Sequence, residues 1–251
     1  MAPGFVAVYS LSLSLLGIGN SLVLTRHEVL AAEPAREMLQ GGPWIVSQFA
    51  GVPRLVKPPT MSWFIAGSMA LFRRQDEIAA RLPSALAGAG TAVMVTLLTA
   101  RWCGPLVALI AGLMQGTMFY QLMQGSLAEA DMPLCFVVAA AMTLFSIALV
   151  PGEGDGGLRG AAGCGASRLL ALAFHAAAGL AFLLKGPIGL AFIFSGCLLY
   201  LVLERDRRGV RWLLDPAGII VLVLMVTATL AALMPARRAM KVDPVSALRY
   251  E

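Results

Sequence analysis

Five ionisable side chains stand at the borders of apolar runs, where charge is costly and by default a sign of function. They are His27 and Glu28 in TRHEV, Lys57 in LVKPPT, Asp131 in EADMPL and Lys185 in LLKGPIG. A carboxylate or an imidazole can take the proton of an attacking hydroxyl, and an ammonium held at a fixed depth can neutralise a phosphate. Pro58 and Pro59 fix the backbone beyond Lys57 and keep it extended, so its ammonium is expected at headgroup depth. There it either meets a phosphate or snorkels from a helix start. Lys185, at a helix break before Gly186-Pro187, carries the same two readings. Asp131 lies between Glu129 and Pro133 at the head of an apolar run, and reads either as an ordinary helix start or as a site residue. By contrast, Arg73 to Glu77 reads as a solvated turn.

The elements that must hold these groups are membrane segments. The 251 residues are 59% hydrophobic and 13% charged, against about 25% charged in a soluble domain, and the mean hydropathy is +0.80. A net charge of +5 and a pI near 9.3 come from short basic clusters between apolar runs. Such clusters set topology, and no soluble face is left to bind nucleic acid. Cys103, Cys135, Cys164 and Cys197 lack the pairing of a zinc or redox motif and are expected to be small buried hydrophobes; His27 and His175 are too far apart for a metal cluster. Neither a metal nor a cofactor is expected.

Apolar runs at Phe5 to Leu24, Leu82 to Ala100, Cys103 to Met123, Met132 to Val150, Leu169 to Leu184, Pro187 to Leu203 and Leu214 to Met234 give about seven spans. The fold class is therefore all-α, a polytopic integral membrane protein. The first run lacks a basic flank and a clear cleavage site, so it is expected to be a retained helix rather than a signal peptide. Thr60 to Phe72 is too short for a comfortable span and reads as an interfacial or re-entrant helix. Glu28 to Gln40 reads as a weakly amphipathic surface helix ended by Gly41-Gly42-Pro43. Together these make a long first loop carrying juxtamembrane helices.

The cluster ERDRRGVR, Glu204 to Arg211, belongs in the cytoplasm by the positive-inside rule. Counting back from it, with Thr60 to Phe72 not crossing, gathers Glu28, Lys57, Asp131 and Lys185 on the outer, periplasmic face. Arg73, Arg74 and Arg81 on that face weigh against this parity, though long loops count less in the rule.

The strings TRHEVLAAEPAREMLQGG, GVPRLVKPPTMSWF, AARLPSALAG, EADMPL and GLAFLLKGPIGLAF, in this order, resemble the membrane glycosyltransferases of the C-type fold. The resemblance is to the aminoarabinose transferase and dolichyl-phosphate-mannose protein mannosyltransferase-like group, and it runs from about Gly17 to Leu203. It implies transfer of a sugar from a polyprenyl-phosphate donor to an acceptor on the periplasmic side of the inner membrane. The donor and membrane lipids are then the partners, and the acceptor stays open. An acidic residue after the first helix would activate the acceptor hydroxyl, and basic groups would hold the departing lipid phosphate. Lys57 matches the lysine at the phosphate end, and Lys185 is its expected companion. Asp131 matches the second acidic loop position and would orient acceptor or sugar. Where the family usually carries Asp-Glu this chain has His27-Glu28, so either residue could be the base; Glu28, which keeps a carboxylate, is the expected one.

AALMPARRAMKVDPVSALRYE, Ala231 to Glu251, resembles the C-terminal tail of FtsX-like or MacB-like transporter permeases. The expected organisation is therefore a transferase part at 1–213 and a final helix with a permease-like tail at 214–251. On this reading the transferase is truncated, with loss of activity as the corollary. The alternative is a non-enzymatic permease component, which would need a separate ATP-driven partner, because the chain has no GxxxxGK[ST] loop.

Overall fold

The computed structural model describes residues 2–18, 23–53, 58–150 and 164–239. The chain is an all-α, multi-pass membrane protein; the strands β1 (Gln48–Phe49) and β2 (Val52–Pro53) form one short antiparallel hairpin. Among the described residues, four helices are long and apolar enough to cross a bilayer, or five if a bent pair counts as one span.

Helix α1 (Ala2–Ile18) buries Val6, Ser10, Ser14 and Ile18, one residue per turn, and packs most heavily on α4 (Glu77–Thr117). Small residues let the backbones approach: a Cβ on Gly116 would lie 3.2 Å from the Ser10 Cβ. The long α4 is two arms. Gly104, at φ 77°, breaks the helical path just before Pro105, and the second arm returns along the first. Gly112 thus lies against Thr96, and Gln121 of α5 (Phe119–Gly125) donates to Gly88 O at 3.0 Å. The expected runs Leu82 to Ala100 and Cys103 to Met123 are these arms, the second continued by α5.

After the 126–130 link, α6 (Asp131–Leu149), α7 (Cys164–Lys185) and α8 (Pro187–Glu204) form the second half of the bundle. Their core holds Val137, Ala141, Phe145, Phe174, Ala178, Ala181, Ile193 and Cys197. The break expected at Lys185-Gly186-Pro187 is a tight reversal, with Gly186 at φ 70° and Pro187 in the first turn of α8. Helix α9 (Arg207–Leu213) leads by a 44° bend into α10 (Pro216–Ala239), which packs on α7. Trp212 closes the aromatic cluster around Phe145 and Phe174.

Two short helices cap one end. Helix α2 (Arg26–Leu39) stops at Gln40, where Gly41 takes φ 98°, and α3 (Thr60–Phe72) has the expected limits. They bury Ala32, Ala35, Met61, Ile65, Ala66 and Met69 against Ala79, Ala80 and Ala128. The surface expected for α2 is in part a packed face. The cysteines differ from expectation too: Cys197 is buried, but Cys103 and Cys135 are exposed. In helices apolar all round, hydrophobicity does not tell a lipid-facing side from a core-facing one.

The α7–α8 reversal yields a test of the packing. A Cβ on Gly189 would lie 2.6 Å from Ala181 O, a backbone atom that cannot rotate away. Gly189→Ala is expected to lower the thermal midpoint in detergent, at a cost of about 1–3 kcal/mol. Gly4→Ala, with nothing within 4 Å of the new Cβ, is the control. Equal midpoints for the two variants would contradict the close approach.

Candidate functional site

Thr25 opens α2 with a reciprocal cap: its hydroxyl accepts from Glu28 N at 3.4 Å, and Thr25 N donates to Glu28 Oε2 at 2.8 Å. This turns the Glu28 carboxylate inward, where Arg81 reaches it from the first arm of α4. Arg81 Nε donates to Glu28 Oε1 at 2.7 Å and Nη2 to Oε2 at 3.1 Å, and both side chains are 0% exposed. Arg81 also donates to Ile18 O at the end of α1 and to Val23 O, while Ala128 N donates to Glu28 Oε1 at 3.0 Å. One ion pair thus joins the end of α1, the start of α2, α4 and the link before α6. Burial pushes the Glu28 carboxyl up. The bonds from Arg81, Thr25 N and Ala128 N, with the Arg81 charge, outweigh this and hold it below the usual carboxylate range.

Next to this pair opens a cleft of about 90 Å³ between α2, α3, the 126–130 link and the α7–α8 reversal. His27, Ser47, Pro58, Ser62, Glu129, Asp131 and Lys185 supply much of its lining. Lys185 Nζ donates to Asp131 Oδ1, the two side chains being 37% and 25% exposed. Asp131 is the first residue of α6, whose N-cap is Ala130, so it lies in the first turn of that helix rather than at its cap. The Ser62 hydroxyl is already committed, donating to Ala31 O at 3.0 Å. Along α3, α6 and α7, with the start of α4 as a further wall, lies an apolar groove of about 590 Å³, lined by Trp63, Phe64, Leu86, Phe136, Val137 and Leu180 among others. Leu180 stands one helical turn from Leu184 of the cleft, and Pro133 two residues from Asp131, so cleft and groove follow one another along the same helices.

The structure therefore brings His27, Asp131 and Lys185 to one cleft. Lys57 lies outside the described residues, and the next residue, Pro58, lines the cleft. Glu28 differs from the expected base: it is absent from the cleft lining, and its oxygens are occupied by Arg81, Thr25 and Ala128. The T-x-x-E spacing at Thr25 to Glu28 is the sequence signal for that cap. Sequence reading also missed Arg81 as the partner, although an arginine at the head of an apolar helix points to a buried counter-ion.

A family model described as dolichyl-phosphate-mannose-protein mannosyltransferase matches residues 5–239. The chain is 31% identical over 192 residues to the undecaprenyl phosphate-alpha-4-amino-4-deoxy-L-arabinose arabinosyl transferase of Yersinia enterocolitica, covering 76% of this chain and 32% of that protein. It is 28% identical over 221 residues to the protein of the same description from Serratia proteamaculans, with 88% and 38% covered. The chain thus spans about a third of the length of these curated relatives. The crystal structure of ArnT from Cupriavidus metallidurans in the apo state superposes with TM-score 0.80 at 23% identity, over 95% of this chain and 43% of that one. The form bound to undecaprenyl phosphate gives 0.76 at 24% identity, over 93% and 42%. The fold is shared.

The buried pair makes a sharp prediction. Arg81→Met leaves a carboxylate buried without its cation and is expected to cost roughly 3–5 kcal/mol. Because the Glu28 carboxyl is held low in the folded chain, its stabilisation is complete above the unfolded carboxylate value of about 4.3 and is lost as pH falls through the lower folded value. Thermal melts from pH 7 to 3 should show this loss in the parent and not in Glu28→Gln. Parallel curves would contradict the assignment.

Proposed function

We propose that this chain, which belongs to the dolichyl-phosphate-mannose-protein mannosyltransferase family, binds a polyprenyl-phosphate-linked sugar and takes part in its transfer to an acceptor. The observation that carries this is the succession of a polar cleft and an apolar groove along shared helices. A lipid phosphate needs a cation at the membrane surface, and its prenyl chain needs an apolar trough below. Lys185, together with Lys57 from the segment leading into Pro58, supplies the cations. The groove on α3, α6 and α7 takes the first isoprene units. Such fixed charge stabilises the phosphate as it departs, the kind of preorganised electrostatics that dominates many catalysed transfers.

His27 and Asp131 are the cleft groups placed to handle protons. Asp131 shares the Lys185 ammonium until a phosphate competes for it, and then is free to hold a sugar or acceptor hydroxyl. His27 stands where relatives of the resemblance carry an aspartate, and its side chain is exposed at the cleft, so it takes the role of base. Glu28 acts through structure, by anchoring α2 beside the cleft. The positive-inside count puts this face in the periplasm and the Glu204 to Arg211 end in the cytoplasm, with the inner membrane as the site of action.

The permease reading rests on the string Ala231 to Glu251 alone, and residues 240–251 lie outside the described residues. The family match runs on to residue 239, and α10 packs against α7. Both favour one transferase body up to 239 over a join near 213.

The test is binding of undecaprenyl phosphate to the purified chain in nanodiscs. Lys57→Ala and Lys185→Ala should each weaken it by about tenfold to a hundredfold, the scale of a charge-assisted hydrogen bond of roughly 1.5–3 kcal/mol. In membranes that transfer sugar, His27→Ala should lower turnover by about two to four powers of ten. Glu28→Gln should lower the yield of folded chain but not the turnover of what folds. Unchanged lipid binding by both lysine variants would contradict the proposal.

A further inference from the structure

Ser47 is a buried polar group of the cleft with no partner among the described residues. It is 7% exposed and lines the cleft, and none of those residues hydrogen-bonds its hydroxyl. Several buried hydroxyls are satisfied locally: those of Ser14, Thr91, Thr96 and Thr143 donate to the carbonyl four residues earlier in their helices. Those of Ser68 and Ser146 also lack a partner among the described residues, but neither lines the cleft, as Ser47 does. Ser47 belongs to no helix and so has no such carbonyl to use: it follows the bend at 44–46, between α2 and β1. A buried hydroxyl left unpaired is costly, and where native chains retain one, a ligand or water is the usual reason.

The cleft's chemistry says what that ligand group is. The described charged residues lining it are Glu129, Asp131 and Lys185, two negative and one positive. Neutral hydroxyls suit such a wall, since carboxylates accept from them and a serine hydroxyl can both donate and accept. Lys185, the described cation of the cleft, is held by Asp131 at the head of α6, and Ser47 comes from a different piece of chain, between α2 and β1. We infer that Ser47 contacts the sugar, its hydroxyl bonding a hydroxyl of the sugar carried by the lipid phosphate. This rests on the proposed donor binding and assigns the sugar to the Ser47 side of the cleft, away from the phosphate. It makes Ser47 a residue that reads the sugar, without a part in proton transfer.

The experiment measures binding to the full chain in nanodiscs of two pairs of probes. They are dolichyl phosphate with dolichyl-phosphate-mannose, and undecaprenyl phosphate with its aminoarabinose derivative. Ser47→Ala should weaken a sugar-bearing lipid by about five- to tenfold, the effect of one hydrogen bond, and leave the sugar-free lipid phosphates unchanged. Ser47→Thr, which keeps the hydroxyl, should restore most of the loss, and Lys185→Ala should weaken both members of a pair. The thermal midpoint of ligand-free Ser47→Ala should equal or exceed that of the parent, because an unpaired buried hydroxyl is removed. Equal affinity of parent and Ser47→Ala for both sugar-bearing lipids overturns the inference and leaves the donor reading standing; the hydroxyl then serves a water. Equal weakening with and without the sugar also overturns it, by placing Ser47 at the phosphate. A parent that binds none of the four lipids overturns the donor reading itself, and the inference with it.

Discussion

The Glu28–Arg81 ion pair is the constraint on which the arrangement of this end of the molecule depends. Two charges at 0% exposure are tolerable only when every strong hydrogen-bonding direction is used. Here the carboxylate takes two bonds from the guanidinium and one each from Thr25 N and Ala128 N, and the guanidinium takes two carbonyls besides. The bonds span residues 18 to 128, so four separate pieces of chain cannot move independently. Removing either charge would leave the other stranded, which gives the pair structural force although its net contribution over an apolar pair is small.

Once α2 is fixed, the cleft follows. The cap directs Glu28 inward, and the next-door residue His27 is turned to the open side. The anchored Ala128 carries Glu129 and Asp131 with it, and the Gly186 reversal brings Lys185 to the same place. Packing of α3 on α2 and α7 sets the groove, with Thr60 Oγ1 donating to Leu183 O at 2.8 Å beside it. In the proposed function this is economical in parts: charges at the end of the bundle meet the phosphate and sugar, and the side of the same helices meets the isoprenes.

Much of this was legible in the sequence, because the relevant signals are local. Gly41-Gly42-Pro43 ends α2, the limits of α3 are those of its apolar run, and Lys185-Gly186-Pro187 marks the reversal. The turn of α4 at Gly104 falls inside the expected run Cys103 to Met123, a few residues beyond the gap between the two runs. What stayed hidden depends on distance along the chain. Glu28 looked like a free carboxylate because its partner is 53 residues away, and Arg81 looked like a charge counting against the topology. The exposure of Cys103 and Cys135 was unreadable for a different reason, since a membrane helix is apolar on every side. Ser47 gave no sequence signal, as its standing comes from lacking a partner in the folded chain.

The central claim is that the lipid-linked donor lies along the cleft and groove at the α2–α3 end. A polyprenyl phosphate bearing a diazirine in its first isoprene unit, photolysed on the chain in nanodiscs and mapped by peptide mass spectrometry, tests it directly. The account predicts adducts on α3 between Trp63 and Phe72, on Leu82 to Ala87, on Pro133 to Val137 and on Leu180, competed away by unlabelled undecaprenyl phosphate. Competable adducts confined to the Glu204 to Arg211 end, or labelling spread evenly over the lipid-facing helices and not competed, would contradict it.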